Sequence, residues 1–256
     1  MQAKSGKFEI LPNRLRRGVF DLNFPHQLNS NCLIHLDKSI KKDLQLNFSL
    51  NSGATVRLII YGNPENINCS VNIKQAAGSQ LIFYSIIAGT KKIINKLNVD
   101  LNQRAARFDG KIFYFGTAND LQEQVTKVEH RAPATFARVS HKRVQIDKSQ
   151  TINYGMIKVD KKADKTDTLL SDRTLLLGKN SSAEFVPSLE ILTSNVKASH
   201  QASCGQISNQ DIFYLQSRGL SISQAQKLII SGFIKEILPS SGRITNWLSK
   251  KTNNYV

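Results

Sequence analysis

Cysteine is scarce in this sequence, and its three cysteines lie far apart. Cys32, Cys69 and Cys204 include no Cys-x-x-Cys pair. This spacing argues against a zinc ribbon, a thioredoxin-type redox site and a self-sufficient four-cysteine cluster site. An odd number of cysteines also fits a reducing compartment.

Several motifs of common enzyme classes are missing. The sequence has no GxxxxGK[ST] phosphate loop, no GxGxxG dinucleotide loop, no HExxH zinc motif and no GxSxG nucleophile motif. Acidic residues are also few, with 19 Asp and Glu against 35 Lys and Arg, so no acid–base pair stands out. Composition therefore gives little support to an enzyme.

Long hydrophobic runs are absent as well. The longest uncharged stretch, residues 75–90, is too short to cross a bilayer, and the N-terminus has no signal-peptide pattern. We therefore expect a soluble, cytoplasmic protein with no membrane partner.

The net charge of +16 is the strongest compositional bias. Such a charge can serve nucleic acid, an acidic membrane or an acidic protein, or it can keep a long β surface soluble. No block of five or six like charges marks a binding arm. Because no aromatic stacking platform accompanies the basic residues, a nucleic-acid-binding module is kept only as an alternative.

From about Cys32, short apolar runs alternate with polar or glycine turns. Their alternation and their β-branched and aromatic residues favour strands. The turn-like pairs Ser52-Gly53, Ala77-Gly78 and Asn102-Gln103 stand 25 residues apart. A repeat of roughly 20–25 residues with polar corners is typical of a parallel β-helix. An antiparallel sandwich, which needs turns every 8–12 residues, is the structural alternative.

The pattern becomes helical after Cys204. Ser208 can cap a first helix, and Gly219 follows it as a C-terminal cap residue. Residues 221–224 form a capping-box pattern, and Pro239 ends the second helix. Its apolar stripe comprises Ile222, Ala225, Leu228, Ile229, Phe233, Ile234 and Ile237.

These patterns divide the chain into three parts. Residues 1–31 are predicted to be an N-terminal cap or arm, residues 32–206 the β-helix core, and residues 207–256 a C-terminal helical subdomain. A third short helix is expected around 244–248, before a frayed tail. Because so small a helical unit cannot bury both its faces, it must dock on the β-helix end, on a partner, or on both.

Several short pieces recur in one order near the C-terminus: PSLEI at 187–191, SH at 199–200, FYL at 213–215 and SRG at 217–219. They resemble the C-terminal signature of the SufB/SufD family of iron–sulfur cluster assembly proteins. A looser match extends upstream to about Val128. Ile191 stands where SufB-type sequences carry a cysteine, and Gln201 where they carry a glutamate. The chain is therefore more similar to the SufD branch.

The resemblance implies a mainly β fold, a right-handed parallel β-helix with a small C-terminal α-helical subdomain. It also implies a non-catalytic scaffold subunit that pairs with a SufB-like subunit or with itself and docks a SufC-like ABC-type ATPase. No cofactor is expected to be bound stably, and iron or an iron–sulfur cluster is expected at most transiently at a subunit interface. The predicted partner-binding residues are Phe213, Tyr214, Arg218, Leu228 and Phe233.

His200 is the first candidate metal ligand, because the resemblance implies a place at the subunit interface and a neutral imidazole binds iron well. A structural histidine is the alternative. Cys204 is a weaker cofactor candidate. In an extended segment the two residues would lie about 13 Å apart, so one shared metal would require a local helical turn.

A carbohydrate-active β-helix enzyme, a lyase or hydrolase, is the alternative function. Asp160, Asp164 and Asp167 could line a groove on one face of such an enzyme. They can equally be corner residues on a solvated surface. Paired carboxylates facing a groove would favour the enzyme.

Overall fold

The structure is a computed structural model that describes residues 2–3, 5–10, 15, 18–40 and 43–252. Part of the predicted N-terminal cap, including Pro12, lies outside the described residues. So does the predicted frayed tail at residues 253–256.

Strands that alternate between two parallel sheets build the molecule. Among the described residues, the odd sheet has eight strands and the even sheet seven, and every neighbouring pair within each sheet is parallel. The odd strands are β1 (Gly6–Ile10), β3 (Asn29–Leu36), β5 (Thr55–Gly62), β7 (Gln80–Ala88), β9 (Arg107–Gly116), β11 (Phe136–Gln145), β13 (Thr166–Leu176) and β15 (Val196–Gly205). The even strands are β2 (Val19–Phe24), β4 (Leu44–Leu50), β6 (Ile67–Gln75), β8 (Lys92–Leu101), β10 (Leu121–His130), β12 (Gln150–Val159) and β14 (Ser182–Ile191).

This arrangement is a β-solenoid of about 6 turns, so the predicted parallel β-helix is confirmed. Thr55 pairs with Gln80, which is the predicted 25-residue step. Later coils are longer, since Phe136 pairs with Asp167. The lengthening explains why the repeat in the sequence is degenerate.

Parallel pairing begins before the predicted start of the β-helix at residue 32. β1 ends the odd sheet and β2 ends the even sheet. Leu22 and Phe24 of β2 are 1% and 0% exposed. Their alternation with polar neighbours lets this segment add a strand to the first coil, because alternate side chains then reach the interior.

The solenoid interior changes character along its length. The N-terminal coils are filled with apolar side chains such as Phe24, Ile34, Phe48, Phe83 and Phe108. The later coils bury polar side chains between the sheets, namely Gln122, Gln124, Thr126, His141, Arg143, Gln145, Thr151, Asn153, Thr168, Asp172 and Thr174.

Three helices follow the strands in the described part of the chain: α1 (Asn209–Ser217), α2 (Ile222–Lys235) and α3 (Gly242–Thr252). Ser208 caps α1 by accepting hydrogen bonds from the backbone of Gln210 and Asp211. Ser221 and Gln224 form the predicted capping box of α2. No helix among the described residues is both long and apolar enough to cross a membrane.

Helices α2 and α3 dock along the side of the solenoid rather than over its end. α2 and α3 cover the outer face of the odd sheet, where outward side chains are apolar instead of polar. This second core contains Ile59, Tyr61, Tyr84, Ile86, Phe113, Phe115 and Val144 from the sheet, and Ile230, Phe233, Ile234, Ile237, Ile244 and Leu248 from the helical region. Arg243 also joins α3 to β1 through two hydrogen bonds of 2.9 Å to Glu9.

Candidate functional site

His200 lies on β15, the terminal strand of the odd sheet. Its side chain is 11% exposed, and its Nε2 atom lies 3.3 Å from Oδ2 of Asp172. His200 pairs in register with Leu170 of β13, so the imidazole sits beside the last interior layer of the solenoid. His200, the first candidate metal ligand, therefore contacts a buried carboxylate.

Asp172 is the centre of a charged cluster between the two sheets. Its Oδ1 atom accepts hydrogen bonds from His141 Nδ1 at 2.7 Å and from Arg143 Nη1 at 3.0 Å. Asn153 of β12 donates a third hydrogen bond to the same oxygen. His141, Arg143 and Asp172 are each 1% exposed. The cluster thus holds a carboxylate and a guanidinium almost out of contact with solvent.

Neighbouring charges decide the ionisation of this cluster. Burial alone would raise the pKa of Asp172, but His141 and Arg143 outweigh it and hold that pKa well below its usual range. Burial lowers the pKa of His141 despite the attraction of Asp172. Asp172 is therefore a carboxylate at neutral pH, and His141 donates a hydrogen bond to it.

Uncharged side chains extend the cluster toward earlier coils. Thr126 Oγ1 lies 3.1 Å from Nε2 of His141. Gln122 Oε1 accepts hydrogen bonds from Arg143 Nε and from Thr151 Oγ1, each at 3.1 Å. This polar packing fixes the side chains that surround Asp172, because His141 and Arg143 of the odd sheet each have a partner in the even sheet.

Cys204 lies on the same strand as His200, four residues further along, and its residue is exposed. An extended strand puts four residues about 13 Å apart. The local helical turn that a shared metal would need is absent from β15. Burial raises the pKa of the Cys204 thiol, so it is protonated at neutral pH. No group of three or more His, Cys, Asp or Glu residues suited to a metal ion is found in the described part of the chain.

The coil that carries His200 forms an open end of the solenoid. β14 and β15 are the terminal strands of the two sheets. Apolar side chains around β14 are left 40–45% exposed, namely Val186, Leu189, Ile191 and Leu192. This end therefore offers both an apolar surface and two strand edges that no further strand of the described chain pairs with.

The predicted partner-binding residues separate into two groups. Phe213, Tyr214 and Leu228 are 73%, 57% and 54% exposed. Arg218 is exposed and lies over the Tyr214 ring, with Cζ 5.5 Å from its centroid. Phe233 is only 9% exposed and packs against the odd sheet, so it supports α2 and is left out of the candidate docking surface.

The three aspartates of the alternative enzyme do not converge. Asp160 and Asp164 lie in the turn between β12 and β13, where their backbone carbonyls accept hydrogen bonds. Asp167 lies on β13 and binds Arg138 at 2.7 Å. They therefore fit the corner and surface interpretation.

Asp172, His141, Arg143 and Asn153 were missed as site residues. The signal for them in the sequence is the alternation of inward and outward side chains along a strand. On β11, Ala137 and Val139 are buried on the inward side, and His141 and Arg143 continue that alternation. A charged residue at an inward position is expensive to bury and therefore marks a functional or specifying cluster.

The chain is similar to known proteins of one family. Residues 39–233 match the family model described as SUF system FeS cluster assembly, SufBD core domain. The iron–sulfur cluster assembly protein SufD of Escherichia coli (strain K12) is 29% identical over 195 residues, which cover 74% of this chain and 46% of that protein. An iron–sulfur cluster assembly SufBD family protein of Staphylococcus saprophyticus is 23% identical over 219 residues, which cover 85% of this chain and 44% of that protein. The chain thus spans less than half the length of these two relatives.

Proposed function

Because the chain belongs to the SufBD core family of the SUF iron–sulfur cluster assembly system, we propose that it is a non-catalytic scaffold subunit of such an assembly complex. In this role the chain holds partners and a cargo of iron or a nascent cluster in one geometry. It does no nucleotide chemistry, since its sequence has no phosphate loop. A SufC-like ABC-type ATPase supplies that chemistry.

The observation that carries this proposal is the position of His200. It lies on the terminal strand of the odd sheet, at the open end of the solenoid. A second β-helix that pairs with β14 and β15 would satisfy the free strand edges and cover Leu189 and Ile191. His200 would then lie beside the seam between the subunits, where it can contribute a ligand to iron or to a cluster.

A SufB-like subunit is the proposed partner at this seam. His200 and Cys204 lie too far apart in β15 to hold one ion, and the described residues contain no third ligand for a complete site. A cluster assembled there needs further ligands from the partner. A second copy of this chain would supply another His200, so a homodimer is the alternative pairing.

The test is the His200→Ala variant, co-expressed with SufB-like and SufC-like subunits. We expect the complex to assemble normally, because His200 lies on a terminal strand rather than among the buried aromatics. The purified complex should contain less iron and less sulfide per mole than the wild-type complex, since one ligand is lost. His26→Ala is the matched control, because His26 is an exposed histidine at a distant turn.

Unchanged iron and sulfide in an assembled His200→Ala complex would contradict the ligand role. Loss of soluble protein, with normal cluster content in the fraction that survives, would identify His200 as a structural residue.

A further inference from the structure

The two oxygens of the Asp172 carboxylate have different surroundings. Oδ1 accepts hydrogen bonds from His141, Arg143 and Asn153. Oδ2 accepts no hydrogen bond within the described part of the chain, although its side chain is only 1% exposed. The His200 Nε2 atom, 3.3 Å away, is an ion-pair neighbour of this oxygen.

This contact determines which nitrogen of His200 carries the proton. A neutral imidazole has one protonated nitrogen and one nitrogen with a lone pair. A lone pair on Nε2 would face an anionic oxygen at 3.3 Å in a buried environment, which is repulsive. A proton on Nε2 points positive charge at this oxygen and makes the same contact attractive.

We infer that Asp172 is the positioning residue of His200: it holds the imidazole in the Nε2–H form and leaves Nδ1 as the nitrogen that binds iron or a cluster. This inference rests on the proposed ligand role of His200. It adds the tautomer, the binding atom and the residue that fixes both. A carboxylate beside the ring nitrogen that does not bind the metal orients a ligating histidine and increases its basicity.

The neighbours of Nε2 argue against metal binding at that atom. Arg143 Nη1 lies 3.0 Å from Oδ1 of the same carboxylate, so a cation between Asp172 and His200 would face a guanidinium. A β-carbon built on Gly155, which belongs to the opposite sheet, would lie 3.7 Å from Nε2. Nε2 therefore faces the occupied interior between the sheets.

The deciding measurement is the tautomer of His200 in the whole protein labelled with ¹⁵N-histidine. Long-range ¹H–¹⁵N spectra distinguish a protonated from an unprotonated ring nitrogen, and the His200→Gln variant assigns the signals. We expect the Nε2–H form in the wild-type protein. A predominant Nδ1–H form would overturn the inference.

The variant Asp172→Asn tests the cause. Its amide can donate to Nε2, so we expect the population to shift toward the Nδ1–H form. The matched control is Asp167→Asn, which removes a charge from the same strand but lies beside Arg138 on the surface. An unchanged tautomer in folded Asp172→Asn would overturn the role of Asp172. If that variant does not fold, the wild-type tautomer decides.

Cobalt(II) titration of the labelled complex with the SufB-like subunit tests the binding atom. We expect the Nδ1 signal of His200 to be the first to broaden, and the affinity to fall about 10–100-fold in Asp172→Asn. Broadening that begins at Nε2 would overturn the assignment of Nδ1. The proposed function fails separately, if His200→Ala leaves iron and sulfide content unchanged while the tautomer is as inferred.

Discussion

At the scale of single residues, His130 is a buried histidine outside the candidate site. It is 0% exposed, and its Nδ1 atom lies 2.8 Å from the hydroxyl of Thr135. Its Nε2 atom has no hydrogen-bond partner in the described part of the chain. Burial lowers the pKa of His130 to about 4, so the side chain is neutral in the folded protein.

This burial predicts a pH dependence of stability. The unfolded state binds a proton at a pKa of about 6.5, whereas the folded state does so only near 4. The His130 contribution to the free energy of unfolding should therefore fall as the pH drops through this window, by about 3 kcal/mol in total.

Urea unfolding of the wild-type protein and of His130→Asn across this pH range measures the effect. The difference in unfolding free energy between the two proteins should change with pH in the direction given above. His26→Asn, at an exposed turn, should follow the wild-type curve. Parallel curves for wild type and His130→Asn would show that His130 does not carry the dependence.

Single residues were predicted unevenly from the sequence. His200 was found because the family signature surrounds it. Asp172, His141 and Arg143 were missed because their meaning depends on which face of a strand points inward. In the later coils the alternation of apolar inward and polar outward residues is lost, because inward positions are polar there as well.

At the scale of elements, α1 carries large aromatic side chains that nothing in the described part of the chain covers. None of its residues is buried, and Phe213 and Tyr214 project two large aromatic rings into solvent. Aromatic residues with an adjacent arginine are frequent anchors of protein interfaces. We propose that these two rings and the exposed Leu228 of α2 belong to a docking surface for a SufC-like ATPase.

The variant with both Phe213→Ala and Tyr214→Ala tests this surface. We expect its affinity for the SufC-like ATPase to fall by at least about 2 kcal/mol, because interface aromatics of this kind are common hot spots. Isothermal titration calorimetry with the purified ATPase measures the change. Tyr154→Ala, which removes a 40% exposed tyrosine from β12 of the even sheet, is the control. Equal affinities of the two variants would refute the docking surface.

Elements were more predictable than their placement. The caps at Ser208 and Ser221 are local signals, and each is present where the sequence indicated. The side of the solenoid that receives α2 was not foreseen. Runs such as residues 112–115 are apolar on both faces of the strand, so they predict a second buried surface. The sequence does not show which element covers that surface.

At the scale of the whole molecule, the central strands of the odd sheet are buried on both faces along the part that α2 and α3 cover. Their inner face contributes to the interior of the solenoid, and their outer face packs on α2 and α3. A fully buried side chain such as Phe113 or Ile86 stabilises the fold by roughly 1.5–3 kcal/mol. The helices are therefore part of the folding unit as well as a place for partners.

Deletion of residues 207–256 should consequently expose an apolar patch and cause association. We expect the truncated protein to bind a hydrophobic dye strongly and to elute as oligomers in size-exclusion chromatography. The same truncation carrying Ile86→Lys and Phe113→Lys should bind less dye and associate less, since both side chains belong to the face that α2 and α3 cover. A monomeric truncated protein that binds no dye would contradict this account.

The docking of α2 and α3 on earlier strands also sets an order of events during synthesis. Each coil packs on the coil before it, so strands can join the solenoid soon after they leave the ribosome. The face containing Tyr61, Ile86 and Phe115 stays uncovered until α2 and α3, which are synthesised after the last strand, can pack on it. A nascent chain that ends after β15 therefore exposes a long apolar surface. We expect chaperones to bind this newly made polypeptide more than the folded protein.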